Sequence, residues 1–417
     1  MFNRVLSFLF AMLWTVSALA QHATYVVDGS QEKEQYRSHT ILEAIEPESN
    51  VIHTLNGVEF YMNGVKMNKT SGGTLDRDRR NTGSNSAFLA TSGSQVYMES
   101  CNATSHVVNA DGVTALDDGT TVRIVGGTFR TSRNASASVN SSKGASIVIE
   151  DADLMTSGGQ SPAMFTGSDG VLEIVKSKGG TTDTASPLFL SHGKITAREC
   201  RMTTDMWALG QVDGGELVLE KNELQSRAFC GVMAYCADKG RSSGVISLSH
   251  NEINVSEGPL FYVTNADARI MVSDHNKFSC KEDLVLVAKS DDWGVKGNNG
   301  GNALLVVENQ SLNGDILVDS ISSVVLDMQR KASLSGAINS MANPVATVRV
   351  KLSKGAVWKV NKDSYLTSVE FSEPLAKGLK QIKGRHTVYY DPNDPANAPL
   401  MGQKHKISGG GSLCPLK

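Results

Sequence analysis

The sequence predicts an all-β chain, a right-handed parallel β-helix solenoid closed by short capping segments, on three observations. A small turn residue followed by a short apolar strand recurs at Gly93, Gly119, Gly144, Gly170, Gly193, Gly215, Gly244 and Ala268, with gaps of 26, 25, 26, 23, 22, 29 and 24 residues. Such a period marks one supersecondary unit stacked many times around a shared core. The strands alternate apolar and polar residues with period two, as half-buried strands do. Glycine is abundant at 39 and proline scarce at 10, which suits a chain that turns often between short strands.

Taken in order, residues 1–20 read as a secretory signal. Arg4 gives the positive start, Val5 to Val16 is an apolar run, and Ala18-Leu19-Ala20 is a cleavage site. The run is too short to anchor in a bilayer, and no later stretch approaches a transmembrane length. The mature chain is therefore expected to begin at Gln21 and to be secreted, periplasmic or held at the cell surface. Residues 21–50 are expected to form an N-terminal cap, with a helix or irregular plug over Gln31 to Ile45. Residues 51–364 carry the β-helix, and 365–417 the last coils and a C-terminal cap.

Each unit opens with an alternating strand. Val122 and Ile124 flank Arg123, and Ile147 with Ile149, Leu172 with Ile174, and Ile195 with Ala197 follow. The first three units carry one extra residue after the glycine, which shifts their apolar phase by one. A turn follows, then an inward apolar position (Phe129, Leu154, Met202, Leu224, Ile253) and a second strand such as Pro187 to Leu190 or Phe229 to Cys236. The unit is shorter than a propeller blade of about 40–45 residues and lacks a helical period. One unit per coil gives about ten to thirteen coils. The turn column Cys101, Gly127, Ala152, Ser177, Cys200, Asn222 and Asn251 is small or amide throughout, as an inward position would be if stacked polar groups satisfy one another.

Lys+Arg is 40 against Asp+Glu 43, a net charge of −3. That balance gives no electrostatic reason to expect nucleic acid as a partner. The six cysteines invite a disulfide reading in an exported chain. Spacing opposes it. Cys230 and Cys236 fall in one apolar strand, roughly 20 Å apart at the extended rise, and Cys101 and Cys200 lie four repeats apart. They are expected as free thiols acting as small hydrophobes.

Several segments resemble a family of exported bacterial β-helix proteins, often described as adhesin-like or pectin-lyase-like. They include Gly258-Pro-Leu-Phe-Tyr-Val-Thr-Asn265, Asp292-Trp-Gly294 with Asn298-Asn-Gly-Gly301, and Gly314 to Ser323. Ser333 to Asn339, Trp358 with Asp363 to Thr367, Thr387 to Asp391 and Ser408 to Leu413 continue the likeness. The resemblance implies the β-helix and export. It carries no catalytic residues to transfer.

That scaffold also serves polysaccharide lyases and hydrolases. Asn109-Ala-Asp111 and Asp117-Asp118 mimic pieces of a polygalacturonase set, but they are too close in sequence to lie one coil apart. Ser191-His192-Gly193 and Val122-Arg-Ile-Val125 each lack a required partner. A hydrolase needs two carboxylates flanking one bond, so these are expected as corner residues.

The column Asp151, Lys176, Glu199, Lys221, His250, Asp274 is expected as an ion-pair ladder, with opposite charges about 4.8 Å apart. It is also the first place to look for chemistry. Glu199, Lys221, His250 and Asp274 would put acid, base and cation on one line, with His250 as the base because imidazole titrates near pH 6.5. A second candidate is the loop Asp291-Asp292-Trp293. Trp293 could stack on a sugar or fold back as a lid, and Asp291 and Asp292 could hold calcium. No other cofactor is indicated. Trp207 is expected in the core. Lys69 to Ser86, with Asp76-Arg-Asp-Arg-Arg80, is expected as a solvated insertion.

Two functions remain. The favoured one is a non-catalytic exported protein whose partner is a polysaccharide or cell-surface glycan. The alternative is a polysaccharide lyase or glycoside hydrolase.

Overall fold

The computed structural model describes residues 22–72, 82–343 and 346–416. The expected signal segment and the Asp76-to-Arg80 charges lie outside the described residues. The chain winds as a parallel β-solenoid. Each central coil contributes one strand to each of three sheets: a first of 12 strands, a second of 14 and a third of 10. All pairings within these sheets are parallel. The 14 strands of the second sheet exceed the ten to thirteen coils read from the sequence.

The difference begins at the N-terminus. The segment expected as a helix or plug is instead strand, Glu34–Ser38 and Ile41–Ala44, completing a coil that His22–Asp28 opens. Its distinction is its interior. Gln35 and Arg37 pair with Phe60 and Met62, so they occupy inward positions that later coils fill with apolar side chains. Arg37 lies 3.8 Å over the Tyr25 ring, and Gln35 donates to the Asp28 and Glu32 carbonyls. This coil, with Gln35 and Arg37 beside Val27 and Ala44 in its interior, covers the apolar core without a helix.

The core runs the length of the axis. Val96, Val122, Ile147, Leu172, Ile195 and Leu217 stack in register on the second sheet, each at most 1% exposed. Each such side chain contributes about 1.5–3 kcal/mol relative to exposure. The phase shift in the sequence therefore does not reach the strands. The true column is Ser94, Thr120, Ala145, Gly170, Gly193 and Gly215, whose carbonyls accept from the opening strand of the next coil. Gly93, Gly119 and Gly144 sit one residue earlier, at φ 75°, 77° and 83°. The repeating glycine thus has two roles. In the early coils it supplies a left-handed turn. At Gly193 it permits close approach, since a Cβ would lie 2.3 Å from the Gly170 carbonyl oxygen.

At the far end the third sheet gives way to a four-stranded one beginning at Ser311–Asn313. Short helical turns over Leu375–Gln381 and Pro395–Leu400 follow. The last strand, Ser412–Pro415, pairs antiparallel with His405–Lys406.

The six cysteines are free. Cys101, Cys200, Cys230 and Cys236 are buried, but Cys280 and Cys414 are only partly so. Phe229 to Cys236 is not one strand. Phe229 turns at φ 72° and only Val232–Ala234 pairs.

Candidate functional site

The turn from the second sheet to the third repeats one device. A residue in the left-handed region is followed by one that points inward. Asp151, Lys176, Glu199, Lys221 and His250 hold φ between 49° and 57° on five successive coils. Each donates its backbone N–H to the neighbouring coil, as Lys176 does to Arg198 (3.0 Å) and Lys221 to Ser249 (3.1 Å). The inward residues form a ladder. The backbone N–H of Cys200 donates to Asn222 Oδ1 at 2.9 Å, that of Asn222 to Asn251, and that of Asn251 to Asn276. Gln310 Oε1 extends the ladder by accepting from Asn276 N–H. This is the polar stacking that the turn column predicted, carried two residues further.

The left-handed column and the outward column of the third sheet enclose a groove of about 580 Å³. Lys176, Glu199, Lys221, His250 and His275 line one side. Lys178, Arg201, Glu223, Glu252 and Lys277 line the other. Five Lys and Arg thus face three Glu, a local excess of two positive charges on a chain whose net charge is −3. Arg201 pairs with Glu223, and Lys277 lies 3.8 Å from Glu252.

The expected ion-pair ladder along the turn does not form. Among the described residues no ion pair joins one member of the column to the next. Lys221 turns back to Glu220, 3.5 Å away, rather than to a column neighbour. Three of the four candidates, Glu199, Lys221 and His250, do share the groove. Asp274 does not line it. The coil holds one more residue here than its predecessor, giving two left-handed residues in tandem, Asp274 and His275. His275 takes the lining position. Asp274 instead accepts from Asn309 at 3.2 Å, and that bond holds its carboxyl below the usual range. The extra residue was countable in the sequence between Ser273 and Asn276.

The other candidate lies elsewhere. Trp293 belongs to a second apolar cluster outside the solenoid, on the outer face of the first sheet. Its ring meets Tyr235 edge-on at 5.6 Å, and it is half-buried. Asn299 ties the loop by donating to the Trp293 carbonyl at 2.9 Å. Asp291 accepts from the Tyr262 hydroxyl and lies 3.9 Å from Lys289, while Asp292 is exposed. Trp207, expected in the core, is in this outer cluster too, stacked on Phe229 at 4.5 Å. Its segment follows the third sheet and leaves the barrel wall before the next strand begins at Gly210. Among the described residues no group of three His, Cys, Asp or Glu side chains is placed to hold a metal ion.

The polygalacturonase-like pieces make structural contacts. Asp111 is buried and accepts from Ala137 N–H at 2.6 Å and Asn140 Nδ2 at 2.8 Å. Asp117 accepts from Ser92 N–H, and His192 meets Phe165 edge-on. Burial pushes the Cys200 thiol up to about 11, away from the reactive thiolate form. What the sequence reading missed is aromatic. Tyr36, Tyr61 and Tyr97 stack on the outer face of the second sheet. Their spacing hid them, because the insertion after Lys69 separates the second from the third.

Fold and site together define a parallel β-solenoid bearing a charged groove along one turn. No family model, curated protein or solved structure matches the chain. No helix among the described residues is long and apolar enough to cross a membrane.

Proposed function

We propose that the protein is an exported, adhesin-like β-helix that binds an acidic glycan without turning it over, and that the groove at the second turn is its binding site. The observation that carries this reading is the excess of Lys and Arg in the groove. An extended polyanion laid along the axis would meet Lys176 and Lys221 at intervals of two coils, about 10 Å.

One observation favours a catalytic alternative, a lyase or hydrolase. Glu199 and His250 share the groove two coils apart, with room for a sugar between an acid and a base. The experiment is incubation with acidic and neutral polysaccharides, scoring both binding and products. Binding without unsaturated or reducing-end products is the expected result. Products that vanish in Glu199→Gln and His250→Ala would establish the enzyme instead.

A further inference from the structure

The N-terminal end of the solenoid is an open edge. His22–Asp28, Glu34–Ser38 and Ile41–Ala44 each end their sheet, and among the described residues no strand pairs with their outer side. On either side of Glu34–Ser38, the Lys33 carbonyl accepts from Glu59 N–H at 2.7 Å and His39 N–H donates to the Asn63 carbonyl at 2.9 Å, so these odd-numbered positions bond the next coil. Bonding direction alternates along a strand. The backbone groups of Glu34, Tyr36 and Ser38 therefore point out of the end of the solenoid. Thr40 Oγ1 takes one lone pair of the Ser38 carbonyl, at 2.9 Å. The tyrosine stack is open at the same place. Tyr36 lies on Tyr61 and Tyr61 on Tyr97, but among the described residues no ring covers the outer face of Tyr36, which is 67% exposed. Val26, Ile41 and Ile45 are exposed apolar side chains of the same coil. Inside it, Arg37 Nε is buried without a hydrogen-bond partner. Gln35 uses its Nε2 on the Asp28 and Glu32 carbonyls and keeps Oε1 uncommitted among the described residues.

We propose that this end pairs with the same end of a second copy, the two Glu34–Ser38 strands running antiparallel about a two-fold axis at Tyr36. The strand is complementary to itself in that register. Tyr36 faces its own counterpart, Glu34 faces Ser38, and Gln35 faces Arg37. The three residues whose backbone groups point outward then meet as hydrogen-bonded pairs, with side chains close enough for the ring stack to continue across the axis. Gln35 Oε1 stands opposite the Arg37 guanidinium, whose Nε–H lacks an acceptor. The two charges of the strand, Glu34 and Arg37, each oppose a neutral side chain, so no like charges meet. A foreign strand would have to match the ring, the acceptor and the charge spacing at once, whereas a second copy supplies all three by symmetry. Such a contact closes at two copies and removes the open edge of the second sheet.

The test is light scattering and hydrogen exchange on the full chain over a range of concentrations. The mass should rise from monomer to dimer, and the amides of Tyr36 and Ser38 should gain protection in step with it. Tyr36→Lys sets two like charges on the axis and should raise the dimer dissociation constant at least about tenfold. Tyr36→Phe keeps the ring and the N–H and should leave that constant unchanged. At a dilution where the parent is monomeric, both variants should melt with the parent, which separates lost pairing from lost folding. Three results would overturn the proposal: a monomer at every concentration, a dimer as tight in Tyr36→Lys as in the parent, or protection of Tyr36 and Ser38 in the monomer, which would assign the edge to the residues before His22.

Discussion

Asn251 Nδ2 donates to Asn276 Oδ1 at 3.0 Å, while Asn251 Oδ1 accepts from both the backbone and side-chain nitrogens of Asn222. One amide therefore holds three coils together beneath the groove floor. Asn251 Nδ2 also reaches the Leu219 carbonyl at 2.8 Å. Asn251→Ala would orphan the buried Asn222 N–H. The expected loss is about 1–3 kcal/mol for that one donor. Denaturant unfolding checks the size, and hydrogen exchange should place the loss over residues 219–276. A variant as stable as the parent would show that the ladder is not what holds these coils.

The two roles of glycine separate by substitution. Gly93→Ala meets nothing within 4 Å and suffers only from its φ of 75°, a cost of about 1–2 kcal/mol. Gly193→Ala has no such dihedral, but its Cβ would strike the Gly170 carbonyl at 2.3 Å and the Gly167 carbonyl at 2.7 Å. Backbone must move, and overpacking of that kind costs about 1–3 kcal/mol or more. Gly193→Ala should therefore melt at the lower temperature. The reverse order would refute the assignment of roles.

His53 sets a pH dependence. It is 7% exposed, with Nε2 3.0 Å from the Thr91 hydroxyl. Burial pushes its imidazole from 6.5 down to about 4, despite the opposing charge of Asp117. Between these values the unfolded chain binds the proton and the folded chain does not, so stability rises with pH across that window. The stabilisation is fully present above pH 6.5 and is lost as pH falls toward 4. Melting temperatures followed through that range should fall in the parent, and more shallowly in His53→Gln. Equal slopes would mean that the folded protein carries His53 charged.

The solenoid was legible because its signal is redundant. Val122, Ile147 and Leu172 repeat the same inward choice, and the Asn222–Asn251 column marks the turn by itself. The N-terminal coil was not, because Gln35 and Arg37 break the aliphatic pattern that identifies a strand facing a core. The groove was half legible. Glu199, Lys221 and His250 share a turn position that sequence spacing fixes, but Lys178, Arg201 and Lys277 face them from a different sheet. Their convergence depends on how the coil bends, which no local pattern encodes. Asp274 failed for a one-residue insertion, and Trp207 because an apolar residue outside the wall looks in sequence like one inside it.

The groove's affinity for a polyanion tests the central claim most directly. The measurement is binding of an acidic polysaccharide to the parent and to the double variant Lys176→Glu, Lys221→Glu, at low and physiological salt. The parent should bind, and more weakly as salt rises, because exposed charges are screened over about 8–10 Å. The double variant should bind at least about tenfold more weakly, with its salt dependence reduced, and with an unchanged melting temperature because both side chains lie at the surface. Binding that is absent in the parent, or equal in the two proteins, would contradict the account.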